Sequence, residues 1–254
     1  MEAFGVDIGG TGIKGAPVHL EAGSLRADRF EVGTPQSGRP EDVADAVRHV
    51  VAHFGWKGPI GVTFPGVVAD GVVQSAANMH PAWVGRSAEH LLTQRLERPV
   101  ALVNDADAAG VAEMTHGAGR RRAQPGVHFT SGPTIMLTLG TGIGSAIFVN
   151  DVLVPNTELG HLEVDGHDAE KLASARARQV DGLTWEAWGR RLQRYLTHVE
   201  MLFSPGLFIL GGGISRQANR FLPLLQGVKT PVVPAELHND AGIVGAAMIA
   251  HQPQ

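Results

Sequence analysis

Cysteine is absent from the 254 residues, tyrosine occurs once, and aromatic residues make up only 6% of the chain. Without cysteine there is no disulfide framework and no zinc site built on thiolates, which is compatible with a reducing compartment. No apolar run approaches the roughly 20 residues of a membrane-spanning helix. The N-terminal segment lacks a basic region followed by an apolar one, so we expect no secretion signal, no membrane partner and a cytoplasmic location.

A strong charge of either sign is also missing, because 21 Lys and Arg residues stand against 25 Asp and Glu residues, for a formal net charge of −4. This balance argues against a nucleic-acid-binding protein, although a local basic groove is compatible with it. The length and the 43% of hydrophobic residues suffice for one large domain or two modest ones. Many of the 33 glycines form short clusters, which are typical of turns whose backbone approaches a ligand.

Apolar runs bounded by glycine and proline predict an α/β chain with helices on both faces of its sheets. Predicted strands cover residues 3–8, 13–20, 24–33, 59–64, 100–103, 134–140, 143–149 and 207–210. Predicted helices start at Pro40 and cover 87–96, 105–116, 184–202 and 241–250, and an exposed loop is predicted over 117–133. Strand, glycine-rich turn and strand occur at 4–18 and again at 135–149, which predicts two similar halves with a cleft between them. We place one domain at 1–104 plus 240–254 and the other at 105–239.

The first glycine-rich motif reads Asp7-Ile8-Gly9-Gly10-Thr11-Gly12-Ile13-Lys14 and follows a predicted buried strand. Glycines without a Cβ let backbone N–H groups approach phosphate oxygens, and Thr11 adds a hydroxyl donor. Asp7, at the strand end, could hold a water of a bound Mg²⁺. The candidate phosphate ligands are Asp7, Gly9, Gly10, Thr11, Gly12 and Lys14. A plain hairpin turn is the alternative interpretation.

A second motif, Leu139-Gly140-Thr141-Gly142-Ile143-Gly144, is suited to bind phosphate for the same reason. A strand rather than a helix is predicted after it, which argues against a dinucleotide fingerprint. Gly211-Gly212-Gly213 follows another predicted strand and suits the close packing of a base or a phosphate chain, although a bare loop has the same pattern. The candidate phosphate ligands here are Thr141, Gly142, Gly212 and Gly213.

Asn104 and Asp105 stand at the end of one predicted strand and the start of a predicted helix. An asparagine offers both a donor and an acceptor to a sugar hydroxyl, and an aspartate can accept the proton of an attacking hydroxyl. An ordinary helix-capping carboxylate is the alternative for Asp105. We interpret Asp107, two residues on, as structural.

Glu158 and His161 lie three residues apart in Glu158-Leu159-Gly160-His161 and can point into one site across a turn. Such polar residues suit a ligand with many hydroxyls. A metal-binding pair and two unrelated surface residues are the alternatives.

Two basic clusters complete the set of candidate features, Arg120–Arg122 in the predicted loop and Arg190, Arg191 and Arg194 at helical spacing. A solvated surface explains either cluster. A binding site for a long polyanion is the alternative for the first.

On these residues the sequence resembles the ROK family of sugar kinases, in the actin-like ATPase superfamily. The resemblance runs from Asp7–Thr11 through Asn104-Asp105 and Leu139–Gly144 to Glu158–His161 and Gly211–Gly213. Residues 153–161 and 236–247 look most like the actinobacterial members that phosphorylate glucose with polyphosphate.

This resemblance implies the actin-like (ribonuclease H-like) fold and the transfer of a terminal phosphoryl group to the 6-hydroxyl of glucose. It implies Asp105 as the catalytic base and Mg²⁺ on a donor that is polyphosphate, ATP or both, with mannose as a further possible acceptor, in a homodimer. The implied sugar-binding residues are Asn78, Asn104, Glu158, His161, Pro65 and Gly66. The implied donor-binding residues are Gly9, Gly10, Thr11, Thr141 and Gly142.

Two departures from the family pattern concern metal and donor. Many members carry a cysteine-rich zinc motif after the Glu-x-Gly-His segment, and its absence here makes us expect no zinc and a sugar-binding His161. The loop 117–133 looks longer and more basic than in polyphosphate-using relatives, which leaves donor handling open. The alternatives are an ATP-dependent glucokinase or glucomannokinase, and a non-catalytic sugar sensor, for which we find no DNA-binding segment ahead of the first motif. A chaperone or filament ATPase of the superfamily would not need the sugar-binding polar pairs.

Overall fold

The computed structural model describes residues 1–76, 79–123 and 131–251. They divide into two compact units, the first made of residues 1–112 with those from Asp240 onward, the second of residues 113–239. Each unit contains a β-sheet with helices, which confirms the predicted α/β class. Among the described helices none is both long enough and apolar enough to cross a membrane.

The first unit is built on a six-stranded sheet. Its strands are β1 (Glu2–Ile8), β2 (Gly12–His19), β3 (Ser24–Leu25), β4 (Phe30–Gly33), β5 (Ile60–Phe64) and β8 (Val100–Asn104), with β6 (Val68–Ala69) and β7 (Val72–Val73) forming a separate small hairpin. The order is β3-β2-β1-β5-β8, with β4 also paired to β2. The strands β1, β5 and β8 run parallel, so the residues that follow their carboxyl ends meet at one sheet edge.

The helices of the first unit begin where the sequence predicts. Its helices are α1 (Pro40–His53), α2 (Ala88–Leu96) and α3 (Asp105–His116), the last of which begins in this unit. Proline at the first helical position is preorganised for a helix, and Glu41 and Asp42 complement the positive end of the dipole. Val43, Val47 and Val50 recur on one face of α1 and are fully buried against the sheet.

The second unit is built on a five-stranded sheet of order β11-β10-β9-β14-β15. Its strands are β9 (Thr134–Leu139), β10 (Ile143–Val149), β11 (Val152–Val154), β12 (Glu163–Val164), β13 (His167–Asp168), β14 (Leu207–Gly211) and β15 (Val232–Pro234), of which β12 and β13 form their own hairpin. Its helices are α4 (Ala169–Ala173), α5 (Ala175–Val180), α6 (Trp185–Phe203) and α7 (Ala218–Phe221). On α6, Trp188, Leu192, Leu196 and Val199 are fully buried in the core, whereas Leu202 is half-exposed.

The last helix, α8 (Ala241–Ala250), returns to the first unit and packs against β1 and β5. Glycine is required at both contacts, because a Cβ on Gly5 would lie 1.8 Å from the Ile243 carbonyl oxygen and one on Gly61 would lie 1.8 Å from that of Ala246. This backbone-to-backbone packing brings the start of α8 to the end of β1, where Asp7 lies.

Two predictions are wrong in detail. The strand predicted over 24–33 is interrupted between Leu25 and Phe30, and only β3 and β4 remain. Within the interruption Arg26 pairs with Glu2 and Arg29 with Asp240. The predicted exposed loop over 117–133 begins with a 3₁₀ helix, Ala118–Ala123.

The first residues of that supposed loop are buried, for a reason that lies in α3. The fully buried Glu113 carboxylate accepts the Ala118 N–H at 2.9 Å, and a Cβ on Gly117 would lie 2.0 Å from the same carboxylate. The chain is thereby held against the end of α3. Residues 124–130 lie outside the described part of the chain.

Candidate active site

The first glycine-rich turn joins β1 to β2 and has its tip in solvent. The Gly9 N–H donates to the Gly12 carbonyl at 2.9 Å, and the Thr34 hydroxyl donates to the Gly9 carbonyl at 2.6 Å. Gly10 and Thr11 are exposed at the tip. The turn therefore has a defined shape and presents backbone and hydroxyl groups outward, as an anion-binding turn needs.

Asp7 lies beside this turn in a partly buried polar cluster. Lys14 is directly opposite it in the β1–β2 register, and the Lys14 ammonium lies 3.0 Å from one Asp7 carboxylate oxygen. The other oxygen accepts the Thr63 hydroxyl at 2.7 Å. A Cβ on Gly242 would lie 3.0 Å from the Asp7 carboxyl carbon, so the start of α8 closes against this cluster. Thr63 is a member that the sequence motifs did not indicate.

Asn104 is buried and uses both ends of its side-chain amide. Its oxygen accepts the Asp107 N–H at 2.9 Å, and its nitrogen donates to the Gly66 carbonyl at 3.0 Å. The first bond is the N-cap of α3, so the capping role considered for Asp105 belongs to Asn104. The second fixes the Pro65–Gly66 turn, which the family resemblance implies as part of the sugar pocket.

Asp105 is the first residue of α3 and is half-buried at the carboxyl edge of the sheet. One carboxylate oxygen accepts the N–H of the next residue, Ala106, at 2.8 Å. The two hydrogen bonds of the Asn104 side chain hold the start of α3, from which the Asp105 carboxylate projects. Asn78, predicted as a sugar ligand, lies outside the described residues.

The second glycine-rich turn joins β9 to β10 and confirms that a strand follows it. The Gly140 N–H donates to the Gly142 carbonyl at 3.0 Å, and Thr141 is exposed at the tip. The Glu170 carboxylate accepts the Ile143 N–H at 3.3 Å and would lie 2.3 Å from a Cβ on Gly142. Glycine at position 142 therefore allows Glu170 to reach the base of the turn.

The Glu158–His161 segment is fastened to the same strand, β10. The Ser145 hydroxyl donates to the Thr157 carbonyl at 2.7 Å and accepts the Leu159 N–H at 3.0 Å. A Cβ on Gly160 would lie 2.2 Å from the Ile143 carbonyl oxygen, so only glycine permits this approach. Glu158 and His161 are consequently held next to the second glycine-rich turn.

Glu158 has an unusual electrostatic environment. Burial raises the pKa of its carboxyl, the His161 side chain opposes that rise, and the Glu170 carboxylate adds to it. The His161 Nε2 lies 4.0 Å from a Glu158 carboxylate oxygen. Within the described ranges no group of three His, Cys, Asp or Glu side chains could hold a metal ion.

Glu170 is a site residue that sequence reasoning missed. It lies 27 residues from Ile143 in the chain, and it has no motif of its own. Its proximity to Glu158 and to the second glycine-rich turn is a product of tertiary structure.

The Gly211–Gly213 segment begins with the last residue of β14. Gly212 has a φ of +83°, and a Cβ there would lie 2.4 Å from the Leu139 carbonyl oxygen. Both facts require glycine at Gly212 and bring Gly213 close to the second glycine-rich turn. The bare-loop alternative does not explain this close contact.

The two basic clusters differ in what is known of the ion pairs that their arginines form with carboxylates. Arg191 pairs with Asp181 at 2.6 Å and Arg194 with Asp165 at 2.8 Å, so two of the three arginines on α6 already have carboxylate partners. Arg120 is exposed on the 3₁₀ helix, and the side chains of the next two arginines lie outside the described set.

Known sequences similar to this chain include one protein family and individual proteins that match it over most of its length. The ROK family model matches residues 3–173. The chain is 48% identical to the polyphosphate glucokinase of Mycobacterium tuberculosis over 246 residues, which cover 96% of this chain and 89% of that protein. With the polyphosphate glucokinase of Mycobacterium leprae the identity is also 48%, over 96% of this chain and 73% of that one.

Solved structures show the same similarity in three dimensions. The inorganic polyphosphate/ATP-glucomannokinase of Arthrobacter sp. strain KM superposes with a TM-score of 0.91 at 54% identity, covering 98% of both chains. A glucokinase from Streptomyces griseus, solved with glucose and AMPPNP, superposes with a TM-score of 0.81 at 28% identity over the whole of both chains.

Proposed function

The chain belongs to the ROK family and has its actin-like ATPase fold, and from this we propose that it is a polyphosphate glucokinase. It would transfer the terminal phosphoryl group of inorganic polyphosphate to the 6-hydroxyl of glucose. The observation that carries the proposal is that the backbone of Ile143 contacts both the turn and the Glu158–His161 segment. Its N–H is bonded to Glu170 at the base of a phosphate-type turn, and its carbonyl packs on Gly160 between Glu158 and His161. Polar groups suited to a sugar thus adjoin a turn suited to a phosphate.

Phosphoryl transfer proceeds through a loose transition state, so catalysis consists mainly of positioning and charge neutralisation. We assign Asp105 to orient the glucose hydroxyl and accept its proton as the bond between the terminal phosphorus and the bridging oxygen breaks. Asn104, with Pro65 and Gly66, shapes the sugar pocket near that carboxylate. Glu158 and His161 would bind further sugar hydroxyls.

The donor phosphates would lie on the glycine-rich turns. Backbone N–H groups in a turn already point in fixed directions, so they need not reorient as charge develops on the phosphate during the reaction. The proposed donor ligands are the members of the two turns and of the third glycine cluster: Gly9, Gly10, Thr11, Gly12, Lys14, Thr141, Gly142, Gly212 and Gly213.

A divalent metal accompanies the donor in kinases of this type, and we propose Mg²⁺. The residues fit, because Asp7 supplies a carboxylate at a strand end beside the first turn, and Mg²⁺ takes oxygen ligands and keeps several waters. The Lys14 ammonium at 3.0 Å from Asp7 favours contact through water over direct coordination. When bound, the metal neutralises phosphate charge.

A second candidate function is dual donor use with a wider acceptor range. The Arthrobacter relative is described as a polyphosphate/ATP-glucomannokinase, and at 54% identity this makes ATP and mannose reasonable further substrates. The homodimer and the cytoplasmic location implied by the resemblance stay predictions.

The decisive test compares glucose phosphorylation with polyphosphate and with ATP, each with Mg²⁺, in the wild type and in Asp105→Asn. We expect wild-type activity with polyphosphate and a loss of kcat by at least about 10² in the variant, with little change in glucose KM. Asp28→Asn, at an exposed aspartate of the same unit, is the matched control. A folded Asp105→Asn protein with normal kcat would refute the assignment of Asp105 as the catalytic base. A wild-type protein that is inactive with both donors would favour the sugar-sensor alternative.

A further inference from the structure

The second glycine-rich turn opens onto a pocket of about 510 Å³ within the second unit. Its lining includes Gly140, Thr141, Arg176, Arg178, Trp185 and Gly213. Two arginines of α5 therefore share a pocket with the turn proposed to hold donor phosphates. Neither arginine belongs to a sequence motif discussed above.

Arg178 is held in place by aromatic stacking. Its guanidinium carbon lies 3.7 Å from the centre of the Trp185 ring, a close cation–π contact. The Trp185 ring in turn lies nearly parallel to Phe221, with an interplanar angle of 15°. The Arg178 Nε is buried and has no hydrogen-bond partner in the described residues. Arg178 thus has a fixed position while its capacity to donate hydrogen bonds is not fully used.

Arg176 is tied to the turn through its backbone. Its N–H donates to the Gly140 carbonyl at 3.0 Å, so a hydrogen bond joins the start of α5 to the second glycine-rich turn. The Arg176 side chain is exposed. Across the described parts of the chain neither Arg176 nor Arg178 forms an ion pair with a carboxylate, in contrast to Arg191 and Arg194 on α6.

These features suit a run of phosphates better than a nucleobase. A base-binding slot needs a free aromatic or apolar face, and the Arg178 guanidinium covers one face of Trp185. Guanidinium groups match phosphate oxygens in geometry and charge, and two of them without carboxylate partners can each bind a different phosphate of a chain.

We propose that this pocket is the subsite for the phosphate chain behind the transferred group, and that Arg176 and Arg178 determine the preference for polyphosphate over ATP. This inference rests on the proposed function and deepens it. The ligand class is a linear polyanion longer than the triphosphate of a nucleotide.

The test measures donor kinetics for Arg176→Gln, Arg178→Gln and the double variant with long-chain polyphosphate, tripolyphosphate and ATP. Losing hydrogen bonds to charged groups should raise the KM of the double variant for long-chain polyphosphate by about 10- to 100-fold. The KM for glucose and the kcat/KM for ATP should stay within about threefold. The ratio of the KM for tripolyphosphate to the KM for long-chain polyphosphate should fall in the double variant.

Two controls separate this role from a structural one. Arg190→Gln removes an exposed arginine of α6 that does not line this pocket and should leave all donor constants unchanged. Arg178→Lys keeps the charge and should recover part of the polyphosphate affinity. The KM for polyphosphate should also depend less on salt concentration in the double variant, because fewer charge contacts remain to be screened.

The outcomes are distinct. If the wild type uses polyphosphate and the folded double variant has the wild-type KM for it, the inference fails while the proposed function stands. A double variant that loses affinity for ATP and polyphosphate equally would also overturn the inference, because the pocket would then not discriminate between donors. A wild type that uses ATP alone overturns both.

Discussion

Gly160→Ala tests whether the close contact between Gly160 and β10 positions Glu158 and His161, the proposed sugar-binding residues. The added Cβ would lie 2.2 Å from the Ile143 carbonyl oxygen, whereas close carbon–oxygen contacts in proteins are about 3.3 Å. The segment must therefore move away by about 1 Å. A misplacement of about 1 Å can cost about 10² in rate, because binding groups then miss their partners. We expect kcat/KM for glucose to fall about 10²-fold, mostly through KM, with donor KM nearly unchanged.

The assay is steady-state glucose phosphorylation at saturating donor, with thermal unfolding to establish that the variant is folded. Gly33→Ala is the matched control, because a Cβ there meets nothing within 4 Å and Gly33 has no positive φ. It should have wild-type kinetics. A folded Gly160→Ala enzyme with the wild-type glucose KM would refute the reasoning, since it would mean that Glu158 and His161 do not depend on this contact.

Two further predictions concern the carboxylates of Glu158 and Glu113. If Glu158 binds glucose as proposed, its ionised carboxylate accepts hydrogen bonds from sugar hydroxyls, and glucose KM should rise on acidification. The rise should start at a higher pH than for an ordinary glutamate, because burial raises the pKa of Glu158. The measurement is the acidic midpoint of the pH profile of kcat/KM for glucose. It should move to lower pH in Glu170→Gln, which removes a carboxylate that raises the Glu158 pKa, and to higher pH in His161→Gln, which removes a side chain that lowers it. Equal midpoints in the wild type and both variants would show that these side chains do not influence Glu158. Glu113→Gln should lower the free energy of unfolding by about 1–3 kcal/mol, because an amide cannot accept the N–H groups of Ala118, Glu236 and Leu237 together. Urea unfolding with an unchanged midpoint would show that these hydrogen bonds contribute little.

The sequence was a reliable guide wherever a structural feature depends on neighbouring residues. The two glycine-rich turns, the start of α1 at Pro40 and the start of α3 at Asp105 all have local causes, namely backbone freedom, proline geometry and the end of an apolar run. The capping role of Asn104 was also readable in principle, because asparagine directly before a helix is a preferred N-cap.

The remaining features depend on contacts between residues far apart in the chain. Glu170 reaches Ile143 across 27 residues, Thr63 reaches Asp7 across 56, and Glu113 reaches Leu237 across 124. No local pattern distinguishes these polar residues from those on the surface. The interrupted segment after Leu25 also contains such a contact, because Arg29 pairs with Asp240 across 211 residues.

The two glycine-rich turns show why an internal repeat in the sequence does not imply a repeated role. Both turns are closed by a backbone bond between glycines, Gly9 to Gly12 and Gly140 to Gly142. Each turn has a carboxylate against its closing glycine, Glu31 of β4 at Gly12 and Glu170 of α4 at Gly142. Beside the first turn the Lys14 ammonium pairs with Asp7, which faces it in the hairpin register. At the second turn the arginine comes from elsewhere, because Arg176 of α5 is tied to the turn by a backbone bond. Similar backbones thus present different electrostatic surfaces to a phosphate chain, so donor preference has to be sought in the helices around the second turn rather than in the glycine motif.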